Sequence, residues 1–169
     1  MIKFLRYLYQ YFLAINIYEY KLKNKKIFKK KTQTFFINSV NQTKINKSSL
    51  EYFKKYKFKL KRFNNKSKFI GLKYKNKLIC SGWIYFGNNC IWNIEEINKK
   101  ISLKEERLLY DFETEKEFRN KGYYQLLLKI IQNKFIRKKL IIYALSHNPI
   151  SNRAIQKAGF KFRNKLRKY

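Results

Sequence analysis

The residues best suited to chemistry lie in two short segments in the last third of the chain. The first is a basic turn between a predicted strand and a predicted helix, and it reads Arg119, Asn120, Lys121, Gly122, Tyr123 and Tyr124. Backbone amides at a helix N-terminus point outward and carry partial positive charge, so they bind phosphate. Gly122 lets the backbone approach a ligand closely, and Arg119 and Lys121 add positive charge. The turn is therefore a candidate phosphate site, although it is neither a Walker loop nor a Gly-x-Gly-x-x-Gly fingerprint.

The second segment, residues 148–160, reads Asn-Pro-Ile-Ser-Asn-Arg-Ala-Ile-Gln-Lys-Ala-Gly-Phe and predicts a well-delimited helix. Asn148 is a good N-cap, and Pro149 suits the first helical position. Gly159 suits the left-handed position that follows a helix. A helix placed here can close a cleft beside the turn. The two segments together indicate a domain that binds a cofactor containing pyrophosphate.

Four carboxylates on predicted neighbouring strands are candidate general bases. Asp111 and Glu113 precede the basic turn, and Glu95 and Glu96 end an earlier strand. They stand out because the chain has only 10 acidic residues against 41 basic ones. A base near neutrality could deprotonate an attacking nucleophile. Salt bridges to surface lysines are the competing interpretation for each of the four.

The hydrophobic pattern predicts the elements that must position these residues. Strands are predicted at residues 32–40, 68–74, 77–86, 90–97, 107–114 and 140–145, and a last short strand begins at Phe160. Helices are predicted at residues 50–58 and 122–136 and after Asn148, and residues 98–106 are a polar connection. Antiparallel strands followed by strand–helix–strand–helix–strand indicate an α+β or mixed α/β fold, with helices flanking a central sheet.

The N-terminal residues 1–31 are predicted to form an aromatic amphipathic helix and a basic linker, ahead of a single domain at residues 32–169. Polar residues interrupt the first twenty positions, so no clean transmembrane span is present. A lysine-rich run follows from Lys21 to Lys31. Two interpretations are open: the segment lies on an anionic membrane, or the helix packs on the domain and the lysines form a charged linker.

The formal net charge of +31 accompanies a hydrophobic fraction of 45%, which excludes a disordered chain. Such a charge is typical of a protein that binds nucleic acid or an anionic membrane. A coding bias toward Lys, Asn, Ile, Phe and Tyr would produce the same composition, and the charges would then only form a solvated surface. Cys80 and Cys90 do not face each other in the predicted hairpin, so we expect free thiols and a cytoplasmic protein. His147 has no second histidine nearby, and no metal site is predicted.

The two segments, in this order and on these elements, resemble the GNAT superfamily of acyl-CoA-dependent N-acyltransferases. The resemblance spans about residues 68–162 and is most specific at residues 114–128 and 148–160. It implies a twisted, mostly antiparallel sheet whose fourth and fifth strands splay apart, with acetyl-CoA bound between them. The residues that it assigns to the cofactor are Thr114, Arg119, Asn120, Lys121, Gly122, Tyr123, Tyr124, Asn148 and Ser151.

Three features depart from the family pattern. Tyr124 stands where the turn usually ends in Gly or Ala, which predicts a more crowded approach to phosphate. Ile155 stands where many members carry a tyrosine that protonates the leaving thiolate. The chain ends at Tyr169, so the usual seventh strand is expected to be absent or very short.

The resemblance implies an N-acetyltransferase that uses acetyl-CoA and transfers the acetyl group directly to a primary amine. Glu113 is the first choice of base because it adjoins the implied thioester site, and the Thr114 backbone N–H is the implied donor to the oxyanion. The expected acceptor is a small molecule such as an amino sugar. Two alternatives stay open: an acetyltransferase for protein N-termini, of the ribosomal-protein type, and a noncatalytic protein that binds RNA or a membrane.

Overall fold

A computed structural model of the chain describes residues 13–21, 33–37, 52–54 and 57–169. These residues contain nine strands, two α-helices and a short helical stretch at residues 52–54. The strands are β1 (Ala14–Lys21), β2 (Gln33–Ile37), β3 (Ser67–Tyr74), β4 (Lys77–Tyr85), β5 (Cys90–Ile94), β6 (Lys99–Leu103), β7 (Arg107–Thr114), β8 (Lys139–Leu145) and β9 (Lys161–Arg167). The helices are α1 (Tyr123–Lys134) and α2 (Pro149–Lys157), and 3-10 turns span Lys57–Asn65 and Lys116–Phe118.

Seven of the strands form one sheet in the order β2-β3-β4-β7-β8-β1-β9. Every neighbouring pair is antiparallel except β7 and β8, which run parallel. Strands β5 and β6 form a separate two-stranded sheet. The prediction of a mostly antiparallel sheet flanked by helices is therefore confirmed.

The core lies on both faces of the large sheet. On one face, α1 buries Leu127, Leu128 and Ile131, whose spacing follows one side of a helix. On the other face, Ile94 and Leu103 of the small sheet pack against the large one. Because β8 is covered from both sides, its residues are apolar almost throughout, as the sequence indicates.

Strands β7 and β8 separate after a short paired stretch. Only three residue pairs join them, from Arg107–Leu140 to Leu109–Ile142. Beyond that point Asp111 adopts a positive φ of 51°, and the register between β7 and β4 shifts. Such an irregularity bends a strand and re-aims its side chains. The predicted splay of the fourth and fifth strands of the domain is therefore present at β7 and β8.

The prediction for the N-terminal segment is wrong where the structure describes it. Ala14–Lys21 is a strand between β8 and β9, and not part of a helix outside the domain. Ile15 and Ile17 are buried on one face of the sheet, and Tyr18 is buried on the other. This alternation has the period of a strand. The rest of residues 1–31 lies outside the described residues, and within those residues no helix is long and apolar enough to cross a membrane.

Other boundaries differ in smaller ways. The predicted polar connection at 98–106 contains β6, and the predicted strand at 90–97 ends at Ile94. Residues 52–54 of the predicted helix at 50–58 are helical, and the other residues of that prediction fall in the 3-10 turn or outside the described residues. The last strand, β9, follows β8 as the sixth strand in the count used for the resemblance; it is seven residues long and pairs with β1, so it is longer than the short strand predicted after Phe160.

Candidate functional site

Two adjoining clefts lie where β7 and β8 diverge. The larger has a volume of about 630 Å³ and runs between the end of β7, the turn before α1, and α2. The smaller has a volume of about 140 Å³ and is lined by residues of β1, β7 and β8 together with Glu96. The two clefts share four residues, namely Phe112, Tyr124, Asn148 and Ser151. A ligand in the larger cleft could therefore reach a second molecule in the smaller one.

The turn before α1 forms one wall of the larger cleft. Gly122 is the residue that caps α1, with φ at +75°, and a Cβ placed there would have no atom within 4 Å. Asn120 also has a positive φ, a conformation that asparagine adopts more readily than most residues. The first N–H groups of a helix point outward and have no partner within the helix, a geometry that suits anion binding. The open space beside Gly122 is where an anion could approach these amides.

Of the predicted turn residues, all but Lys121 line this cleft. The Arg119 Nε donates to the backbone oxygen of Thr114 at 3.0 Å, which ties the turn to the end of β7. The Lys121 ammonium lies 5.6 Å from the centre of the Phe118 ring. The structure therefore does not bring Lys121 into the cleft with its neighbours.

Tyr124 lies at the junction of the two clefts. Its ring packs on Phe112 of β7, with 5.4 Å between the ring centres. Burial raises the pKa of Tyr124 above its ordinary value, so its hydroxyl is neutral near pH 7. Tyr124, which stands where the GNAT turn usually ends in Gly or Ala, thus packs against the sheet between the two clefts.

The end of β7 is held firmly by β4. The Thr114 hydroxyl donates to the Cys80 Sγ at 3.3 Å, and the next backbone N–H, of Glu115, donates to Ile79 at 2.9 Å. Burial raises the pKa of Cys80 to about 12, so its thiol stays protonated. Cys80 and Cys90 are both free thiols, as predicted. Thr114 lines the larger cleft.

Asp111 belongs to a cluster of charges that the sequence did not predict. Its carboxylate accepts hydrogen bonds from Arg62 and from Lys59, the latter at 3.0 Å. Burial opposes ionisation of Asp111, but these two hydrogen bonds outweigh it and lower the pKa. The Lys59 ammonium also lies 3.8 Å from the Glu113 carboxylate. Ion pairing, the competing interpretation, therefore applies to Asp111 and, at the longer distance, also to Glu113. Glu113 in addition lines the larger cleft.

The smaller cleft carries the other carboxylate of interest, Glu96, together with Tyr143. Burial, and then the negative charge of Glu96, raise the pKa of Tyr143. Tyr110 is buried, and its hydroxyl donates to Ser67 at 2.9 Å. Glu95, in the turn after β5, lines neither of the two clefts.

The start of α2 forms the opposite wall. The Asn148 side chain accepts from the Ser151 N–H at 3.0 Å, so it caps the helix as predicted, and both residues line both clefts. Ile155 is fully buried in the core, so no hydroxyl stands at the position of the family's tyrosine. His147 lines neither cleft.

Asn152 fastens α2 to the sheet, and sequence reasoning missed it. Its amide nitrogen donates to the backbone oxygens of Leu145 at 2.9 Å and Asn148 at 2.6 Å. Its side-chain oxygen accepts from the Tyr18 hydroxyl at 2.7 Å and from the Asn16 amide at 3.1 Å. No local sequence pattern indicates this role, because the partners of Asn152 in β1 lie more than 130 positions away in sequence.

The larger cleft fits an extended anionic cofactor. Its volume is in the range of small-molecule sites, and its lining carries the cations Arg119, Arg153 and Lys157 against one carboxylate, Glu113. Arg153 and Lys157 were not predicted as site residues. Within the described part of the chain, no group of three or more His, Cys, Asp or Glu residues could hold a metal ion.

Comparisons with known proteins bear on the fold. No family model and no curated protein matches the chain. A functionally unknown conserved protein from Staphylococcus epidermidis superimposes with a TM-score of 0.60 at 10% identity, over 97% of this chain and 63% of that one. A putative GNAT-family acetyltransferase from Novosphingobium aromaticivorans gives 0.59 at 9% identity, over 90% and 61%. An aminoglycoside N-acetyltransferase solved with CoA gives 0.51 at 16% identity, over 77% and 90%.

The chain spans less than two thirds of the length of the first two structures. At these identities the likeness concerns the fold, and the fold is that of the GNAT acetyltransferases. The resemblance seen in the sequence is therefore confirmed at that level.

Proposed function

We propose that the protein is an acetyl-CoA-dependent N-acetyltransferase acting on a primary amine. The observation that carries the proposal is the pair of joined clefts at the divergence of β7 and β8. One cleft leads from a phosphate-binding turn to the end of β7, and the other reaches the same point from β8. Two substrates could meet there, as direct transfer in a ternary complex requires.

The larger cleft is the proposed cofactor site. Arg119, Asn120, Gly122 and the first amides of α1 hold the pyrophosphate, and Thr114 and Asn148 contact the pantetheine arm. When bound, acetyl-CoA supplies the activated acetyl group as a thioester. The Thr114 backbone N–H is the proposed donor to the thioester oxygen. Because Ile155 provides no acid, the thiolate leaves without a dedicated proton donor at that position.

The smaller cleft is the proposed acceptor site. The Glu96 carboxylate lines this cleft in a chain of net charge +31 and favours a cationic amine there, whereas the Asp111 carboxylate in the same lining is paired with Arg62 and Lys59. A small amine such as an amino sugar is the proposed acceptor. The aminoglycoside N-acetyltransferase that shares the fold supports an amino sugar over a protein N-terminus as the acceptor.

The acceptor must lose a proton before it attacks, and Glu113 is the proposed base. Glu96 is the second candidate, because it lines the acceptor side. The free thiols of Cys80 and Cys90 fit a reducing compartment, and the cytoplasm is the proposed location.

Transfer of the acetyl group to a panel of amino sugars and N-terminal peptides, followed by mass spectrometry, tests this function. An acetylated amine is expected only in the presence of acetyl-CoA. Glu113→Gln should lower kcat by about 10²- to 10⁴-fold while leaving the Kd for acetyl-CoA unchanged. Glu96→Gln is the matched variant. A larger loss of kcat in this variant would indicate that Glu96, on the acceptor side, is the base. Acetylation of peptides alone would favour a protein N-terminal acetyltransferase.

A further inference from the structure

The second wall of the larger cleft contains two unexplained cations. Arg153 and Lys157 lie one turn apart on α2, both are exposed, and both line the cleft opposite the turn that precedes α1. Among the described residues, the structure gives neither side chain an ion pair or a hydrogen bond. Their charges are therefore available to a ligand in the cleft.

The helix does not need both cations for its own stability. Two like charges four residues apart on a helix repel each other and destabilise it. Lys157 lies in the last turn, where it interacts favourably with the helix dipole, but Arg153 lies nearer the middle. The N-terminus of α2 is already capped by the Asn148 side chain. A bound anion would offset the repulsion between Arg153 and Lys157.

The lining of the cleft favours an anion with more than one phosphate group. Its only carboxylate, among the described residues, is Glu113 at the end of β7. The turn before α1 presents one site for phosphate, with backbone amides and Arg119. Arg153 and Lys157 present a separate site of side-chain cations on the facing wall. Arginine and lysine are the side chains that recognise phosphate most often, arginine through two parallel hydrogen bonds.

We propose that Arg153 and Lys157 bind the 3′-phosphate of coenzyme A, so that the protein distinguishes CoA from dephospho-CoA. This proposal rests on the proposed function, because it assigns the two residues to the same cofactor. The 3′-phosphate is a phosphate monoester with nearly two negative charges at pH 7, and dephospho-CoA lacks it. The contact therefore selects one cofactor among related adenine nucleotides.

Calorimetric titration of the full chain with CoA and with dephospho-CoA at 150 mM salt tests the proposal. The wild type is expected to bind CoA at least about tenfold more tightly than dephospho-CoA. In the double variant Arg153→Gln/Lys157→Gln that ratio should fall close to one, while the affinity for dephospho-CoA stays within about twofold of the wild type. Both positions are exposed, so the variant should unfold near the temperature of the wild type.

The matched control is Lys99→Gln/Lys100→Gln, which removes the same charge from exposed positions of β6 outside both clefts. It should keep the wild-type ratio, because only a local contact discriminates between the two ligands. An unchanged ratio in the α2 variant overturns the proposal, and so does an equal loss of affinity for both ligands. If folded wild type binds neither ligand, the proposed function itself is overturned, and that outcome differs from binding without discrimination.

Discussion

Asp111 shows how one residue links the fold to the site. Its positive φ is uncommon for a residue with a side chain, and it lies where β7 leaves β8. Hydrogen bonds from Arg62 and Lys59 hold the carboxylate in that position. Lys59 is itself buried, and burial lowers its pKa, but its hydrogen bonds to Tyr52 and Asp111 outweigh this and raise it. The bent strand that opens both clefts is therefore maintained by a charge cluster.

The lowered pKa of Asp111 predicts a pH dependence of stability. A carboxyl whose pKa is lower in the folded state contributes stability above its unfolded pKa, near 3.9, and loses it as the pH falls through the folded value. The difference in urea midpoint between wild type and Asp111→Asn should be constant above about pH 5 and should shrink below about pH 4. Glu105→Gln, at an exposed position whose carboxylate has no described partner, is the control and should show no such change. A constant difference down to pH 3 would contradict the role given to the cluster.

The residues of the turn and the cap were predictable because their types have few uses. A glycine with positive φ at a helix start and an asparagine before a proline each have a recognisable local geometry. Lys59, Arg153 and Lys157 were not predictable in this way. In a chain with 41 basic residues, a single lysine or arginine carries no signal until its neighbours are known.

At the scale of elements, the position of α2 decides whether the two clefts join. Its first turn contributes Asn148 and Ser151 to both clefts. The Asn152 side chain holds that turn against the end of β8 and against β1 through three hydrogen bonds, and a fourth joins it to Asn148 in the same turn. The side chain is almost fully buried, so its polar groups have no water to replace these partners.

Replacing Asn152 by Ala should lower the free energy of unfolding by about 3 kcal/mol, because several buried polar groups lose their partner. Denaturant unfolding measures this change. Asn164→Ala on the exposed strand β9 removes the same side chain and should change stability by less than about 0.5 kcal/mol. Equal effects at the two positions would show that the network does not hold α2.

The elements from β7 to α2 were predictable because each has a strong period and clear ends. The strand β1 was misread, since the polar residues before it follow a helical spacing and its own alternation covers only a few residues. Its assignment depends on β8 and β9, which lie far away in sequence. The small strand β6 was missed because only Ile101 and Leu103 are apolar within it.

In the whole molecule, β1 is an internal strand of the large sheet. It is the only described strand that joins β9 to β8, and its two faces contribute to separate parts of the core. The N-terminal segment is thus part of the domain at residues 14–21. The chain has a formal net charge of +31, and the core must offset the repulsion between these like charges.

Ile17 provides a matched test of β1. Ile17→Val keeps the strand and should lower stability by about 1 kcal/mol, the usual cost of one buried methylene. Ile17→Pro removes a backbone donor from a strand that is paired on both sides, and should lower stability by at least about 3 kcal/mol or abolish cooperative unfolding. Similar unfolding midpoints for the two variants would contradict the central position of β1.

Thermal unfolding with and without acetyl-CoA tests most directly whether the larger cleft binds this ligand. At a hundred times its Kd, acetyl-CoA should stabilise the wild type by about 2.7 kcal/mol, a rise in Tm of about 5–10 °C. Gly122→Trp should abolish the rise, because its side chain projects into the open space beside the turn. Gly122→Ala introduces the same backbone strain with a smaller side chain, so it should keep a larger part of the acetyl-CoA-dependent rise in Tm. A folded wild type whose Tm does not move with acetyl-CoA would contradict the account.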